Sequence, residues 1–466
     1  MKRYSTSYRV FILTKAGLGA AYLWLCWDFL RINLALQGGL RELIPGLYNE
    51  RICGNELANS ILIHLLAFLS SPVAIWIYCI FAPLIVGCYV WGRFRWLQAG
   101  VGVWVWISMI GLTARASIVM TTADFWLSWC FILYAVSALV TPRGKWEESQ
   151  PYLSREGWRE DRIIHSEYAW LMVILQFTVY FYAGVNKLVY GWTAWTSGVA
   201  LQNLFYDPAM HSYLRGIHMP YLVSLILCYA TLFQRLIVPF GFFSTRYRNW
   251  TVLILGTMHI GYELVMKVAI FPLVGIACLL LIIYPKSAEA VPSKATRKEQ
   301  RRSRRLVLAG QPVLVQKILA IAVVGLLLIE PAVMSYYSDD PPYWNVKLAT
   351  QLHWIMFADG GSQSKERFRI AIMVHDPSTG DVHYDEVTDL PFSYFPYTWR
   401  TRLYEQAILR KAIQAQRPGA SYVGTDYYLE DYIHAAVRLY KIQTGRPRIE
   451  QFVLSIDPYD KKSFSP

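Results

Sequence analysis

Long, nearly uncharged apolar blocks constrain this chain more than any other feature. Runs such as PVAIWIYCIFAPLIVGCYVW and ADFWLSWCFILYAVSALV hold about twenty residues with almost no charge, the length that crosses roughly 30 Å of hydrocarbon as a helix. In lipid each backbone N–H and C=O must be satisfied inside the protein, and a continuous apolar run does this as a helix. The 466 residues are 55% hydrophobic, and mean hydropathy is +0.28. A soluble domain would instead spread its apolar residues at helix or strand period. The 18 Trp and 32 Tyr suit side chains that sit where membrane meets water. The expected fold class is an all-α polytopic membrane protein.

Spans follow from the apolar runs. They are expected near 10–30, 72–91, 97–115, 124–141, 167–187 and 219–241. Residues 58–70 read as a short interfacial or re-entrant helix, and 189–217 as an aromatic-rich connection. The apolar stretch 250–284 is too long for one span and contains Pro272, so it splits in two. A last span covers 313–335, giving about nine. The basic start MKRYSTSYR is followed by a long apolar run without a small-residue cleavage site, which reads as a retained first helix.

The net charge of +13 would suggest nucleic acid in a soluble chain, but no basic-aromatic module is visible. In a membrane protein Lys and Arg gather in cytoplasmic loops. With nine spans, the N-terminus, Arg93 and Arg95, the 142–165 loop, Arg246 and Arg248, and the 286–312 linker share one side. That side is expected to be cytoplasmic, in the plasma (inner) membrane, with the C-terminus outside. The linker SKATRKEQRRSRR is either a topology determinant or a site for anionic lipid. The organisation expected is a transmembrane body at 1–285, a basic linker at 286–312, a helix at 313–335 and a small α+β domain at 336–466. In that domain RFRIAIMVHD–PSTG–DVHYDEV reads as a hairpin, IEQFVLSID as a strand, and two stretches between them as helices.

Seven cysteines fall mostly inside apolar blocks, where they act as small hydrophobic residues, and no CxxC occurs. No HExxH motif, phosphate-cradling glycine loop or GxSxG elbow is present. An ionisable residue inside a span is costly and asks for a reason. Lys187 ends the fifth span in YFYAGVNKLVYGW. Burial there would favour its neutral form and make it a base; alternatively it snorkels to the headgroups. In TMHIGYELVMKVAIFP, His259, Glu263 and Lys267 recur every four residues, so a helix sets them in one stripe. The stripe reads as a catalytic set or as a polar network that fixes packing. Asp28 with Arg31, Arg115 with Asp124, and Arg235 read as structural.

The segment YFYAGVNKLVYGWTAWTSGVALQNL, with Tyr180, Phe181, Ala183, Gly184, Lys187, Leu188, Trp195, Gly198, Ala200 and Leu201, resembles the HTTM family. This is the membrane domain shared with vitamin K-dependent gamma-carboxylases. MHIGYELVMKVAIFPLVG and QLHWIMFADG are similar to later stretches of that family, in the same order. The resemblance covers roughly residues 8–357. It implies Lys187 as the base that deprotonates a quinol, with vitamin K or menaquinol as cofactor; the four-residue stripe adds His259 and Glu263 in support. The family's catalytic His on an earlier span has no counterpart here, where Thr121, Thr122, Ala123 and Asp124 stand. Gln234 replaces a usual Glu, and Glu263 a small apolar residue. Two functions are therefore expected: a quinol-linked enzyme that modifies a peptide or protein, or a non-catalytic factor for maturation or export of a secreted peptide. A transporter is less favoured, for want of an inverted repeat.

Overall fold

The computed structural model describes residues 4–35, 64–65, 68–115, 122–141, 152–161, 163–201, 219–266, 270–283, 321–325 and 327, and three strands at 366–375, 382–386 and 451–458. A short strand β1 (Tyr4–Ser7) leads into α1 (Tyr8–Ala35), followed by α2 (Pro72–Trp91), α3 (Arg95–Arg115) and α4 (Thr122–Val140). The short helix α5 (Arg155–Glu160) and strand β2 (Ile163–Ser166) precede α6 (Glu167–Thr196). Then come α7 (Tyr221–Leu236), a 3₁₀ segment (Val238–Phe243), α8 (Arg248–Met266) and α9 (Phe271–Ile282). Among the described residues, five helices are long and apolar enough to cross a membrane: Tyr8–Leu30, Val73–Trp91, Ala123–Val140, Glu167–Val189 and Tyr221–Phe243. The chain is an integral membrane protein.

The long apolar stretch after residue 250 is two helices. Pro272 stands in the first turn of α9, where its missing N–H leaves no helical bond unmade. α6 runs to Thr196, past the end that hydropathy suggests. Hydropathy falls through Gly191, Trp192 and Thr193, but the backbone continues as helix beyond them. A break comes only at Gly191, with φ −129° and ψ 24°. Pro239 ends regular α-helix in the sixth span, which finishes as the 3₁₀ segment.

One end of the bundle is tied together by segments far apart in sequence. β1 and β2 pair antiparallel, Tyr4 opposite Ser166 and Ser7 opposite Ile163. Arg9 donates to the carbonyls of Trp158 and Arg159, and Leu153 N–H donates to Trp91 O. Arg95 donates to the carbonyls of Ala138 and Leu139, the last turn of α4. A cation there also meets the negative end of the helix dipole. Tyr4 Oη donates to Phe242 O, and Arg248 bonds Ser5 O and the end of α9. Arg93, Arg95, Arg246 and Arg248 thus lie on segments joined to the N-terminus at this end.

The C-terminal hairpin is formed as its turn residues suggest. β3 (Glu366–His375) pairs antiparallel with β4 (Val382–Glu386) and with β5 (Gln451–Pro458), in the order β4-β3-β5. The helices expected between β4 and β5, the basic linker and most of the 58–70 segment lie outside the described residues.

Candidate functional site

Four residues of α6 at helical spacing, Gln176, Tyr180, Gly184 and Lys187, make one inward stripe. Lys187 is 1% exposed, so it does not snorkel. Its Nζ lies 4.5 Å from the ring centroid of Trp195, which stands beyond the bend at Gly191. An indole face stabilises a cation by about 0.5–2 kcal/mol, more where water is excluded. Gly198 continues this wall in the left-handed region, φ 77°, with its site for a Cβ filled by the backbone of Leu225. Ser224 Oγ donates to Gly198 O and fixes α7 against the end of α6. Gly184 has the same use deeper in: a Cβ there would meet Arg235 and Leu236 of α7. The glycines and Lys187 of the motif therefore belong to one packed junction of α6 with α7.

About 10 Å deeper, at the helical rise of seven residues, Tyr180 begins a second cluster. Tyr180 Oη lies 2.6 Å from His259 Nε2 across α6 and α8. The Arg235 guanidinium sits 5.2 Å from the Tyr180 ring and 5.5 Å from the Tyr262 ring, and donates from Nη2 to Tyr262 Oη at 3.4 Å. Trp126 of α4 and Phe271 of α9 wall the imidazole at 5.7 and 4.9 Å between ring centroids. The imidazole fits because α9 has no side chain at Gly275; a Cβ built there would overlap the ring. His259 is eleven residues from Arg248 at the tied end, about 16 Å along the helix and so near the middle of a roughly 30 Å core.

Several polar atoms in this interior are fully buried without a hydrogen-bond partner among the described residues. They are Arg235 Nε and Nη1, His259 Nδ1, Trp126 Nε1 and both amide atoms of Gln176. Each such atom costs about 1–3 kcal/mol.

Of the sequence candidates, Lys187 and His259 are both in the interior, on neighbouring helices. Glu263 lies on α8 with its side chain outside the described residues, and Lys267 is outside them altogether. Asp28 and Asp124 are buried, while the side chains of Arg31 and Arg115 lie outside the described residues. Arg235, which reads as structural from sequence, is central. Tyr180, which opens the motif YFYAGVNKL, joins it with Tyr262 and Trp126; the sequence signal of the last two is an aromatic-rich span, too common to single them out. A further amine, Lys15 of α1, is fully buried, its Nζ 2.8 Å from Tyr134 Oη and 5.0 Å from the Tyr89 ring centroid. Among the described residues no group of three or more His, Cys, Asp or Glu could hold a metal ion.

Replacing Tyr180 by Phe removes the hydroxyl and keeps the ring. Because it leaves His259 Nε2 buried and unbonded, the expected loss is about 1–3 kcal/mol of stability. Thermal unfolding in detergent measures it; an unchanged transition would show that the bond contributes nothing.

Fold and interior define a class: a helical integral membrane protein with basic side chains buried among aromatic rings. Beyond that class, no known family description, curated protein or solved structure matches the chain.

Proposed function

We propose that the protein is a quinol-linked membrane enzyme of the gamma-carboxylase-like, HTTM type, acting on a peptide or protein. The observation that carries this reading is the burial of Lys187 over Trp195, on the same face of α6 as the Tyr180–His259 pair. A lysine amine is one of the groups that can take a proton from a substrate hydroxyl held beside it. Vitamin K or menaquinol fits the chemistry of the interior, because ring oxygens would satisfy the unbonded atoms of Arg235, His259 and Gln176. When bound, such a quinol supplies an acidic hydroxyl and two reducing equivalents. With a quinol bound, Lys187 Nζ would take the hydroxyl proton, Arg235 would face the negative charge on oxygen, and the surrounding rings would exclude water. Nine spans, a cytoplasmic N-terminus and basic end, and an α+β domain of residues 336–466 outside the inner membrane complete the proposal. The gathering of basic segments at one end supports that orientation.

The test is quinol consumption by purified protein in detergent, wild type against Lys187→Ala. The wild type is expected to consume quinol and the variant to lose about 10²–10⁴-fold in rate, the range for a general base. Full activity in Lys187→Ala sinks the reading. If neither protein turns over quinol and deletion of residues 340–466 abolishes function in the cell, the accessory role in peptide maturation or export replaces it.

A further inference from the structure

A stripe on α4 connects features that the proposed chemistry leaves apart. Trp126, Cys130 and Tyr134 recur every four residues and share one face. Trp126 walls His259, and Tyr134 bonds Lys15. Between them, Cys130 Sγ lies 3.5 Å from Cys278 Sγ of α9, and both residues are fully buried. On α9 the same order holds: Phe271 and Gly275 touch the His259 site, and Cys278 follows one turn on.

We propose that Cys130 and Cys278 form a redox-active dithiol beside the His259 site, oxidised to a disulfide by a lipid-soluble quinone. Joining the sulfurs requires an approach of about 1.5 Å, to the usual bond length near 2.05 Å. α4 and α9 pack directly on each other, which keeps the two thiols in contact. Cys26 and Cys79 also meet, but there the Cys79 thiol is shared with the Cys26 carbonyl at 3.3 Å and Cys79 is only partly buried. In the reaction an S–S bond forms and two S–H bonds break. Two electrons and two protons pass to the quinone, which leaves as quinol. Basic groups stand at both ends of the stripe to carry the protons: His259 beside Trp126, and Lys15 beside Tyr134. The role of the quinol so formed rests on the reading of Lys187 above, since it is what that base would consume. Disulfide formation does not depend on Lys187.

The experiment uses the full-length, reduced protein in detergent, treated with menadione or with diamide. It is then denatured, alkylated and mapped by peptide mass spectrometry. The expected result with both reagents is a Cys130–Cys278 cross-link, seen as loss of the mass of two hydrogens. With menadione, one quinol should appear by absorbance for each disulfide. Cys130→Ser and Cys278→Ser are each expected to abolish the cross-link, and Lys187→Ala to retain it. Complete alkylation of both cysteines in oxidant-treated wild type overturns the proposal. So does a cross-link formed with diamide alone, because quinone is then not its oxidant. A cross-link in Lys187→Ala protein that no longer consumes quinol keeps the dithiol and isolates the failure in the base.

Discussion

Exchanging Arg248 for alanine is expected to cost about 3–5 kcal/mol of stability, the largest loss of any single change outside the interior site. Arg248 opens α8 and is 3% exposed. Its Nε donates to Ile282 O, and its Nη2 to Ser5 O at 2.6 Å and Ile283 O at 3.3 Å. The last carbonyls of α9 have no partner within their own helix, so a cation there satisfies both a hydrogen-bonding need and the helix dipole. The guanidinium also lies 3.5 Å from the ring centroid of Tyr4, whose hydroxyl holds Phe242 O. Truncation strands three carbonyls and unstacks the ring. Lysine recovers only part of the loss, since one ammonium cannot reproduce a planar fork. Thermal unfolding in detergent should rank wild type above Lys above Ala; equal transitions for all three would refute the assignment. The same latch responds to pH. Burial holds the Tyr4 phenol above its ordinary value of 10.0, with Arg248 pulling weakly the other way. Its contribution is therefore complete below pH 10 and lost as pH rises, because the unfolded chain gives up that proton first.

The second large effect concerns Gly275. Gly275→Ala places a Cβ inside the His259 ring and forces the imidazole or α9 to move. Overpacking of this kind costs about 1–3 kcal/mol. If His259 and Tyr180 hold a ligand, a shift near 1 Å should also lower turnover about 10²-fold. Gly256→Ala is the matched control: it stands on α8 with nothing within 4 Å of its added Cβ. Relieved of glycine's backbone entropy, that variant should gain about 0.5–1 kcal/mol. Opposite signs for the two alanines are the expected outcome. Equal effects would mean that the fit around His259 is loose.

Much of the fold is legible in sequence because hydrophobic length answers directly to bilayer thickness. Helix α2 matches its expected span from Pro72 to Trp91, and α4 differs by two residues at its start. The split at Pro272 follows from length and from proline's missing N–H. What sequence spacing conveys less well is which groups meet across helices. The four-residue stripe of His259, Glu263 and Lys267 suggests partners along α8. Yet the described partner of His259 is Tyr180, 79 residues earlier, and Arg235 arrives from α7. Lys187 stands out because a charge in an apolar span is rare, whereas a tyrosine in an aromatic-rich span is not. Arg235 offers the same charge signal, but only packing against Gly184 shows that it turns inward.

The tied end of the bundle also sets an order on the making of the protein. Tyr4 finds its hydroxyl's acceptor only at Phe242, and Arg248 finds the carbonyl of Ile282. At a synthesis rate of about 5–20 residues per second, the N-terminal segment waits on the order of tens of seconds for those partners to emerge. During that interval β1 can pair with β2 once Ser166 emerges, but the Tyr4 hydroxyl and the Ser5 carbonyl still lack their later partners. Release of the nascent chain before Ile282 would leave every early span inserted and the rim open. A ribosome stalled at that point thus carries a protein that has reached its membrane but not its shape.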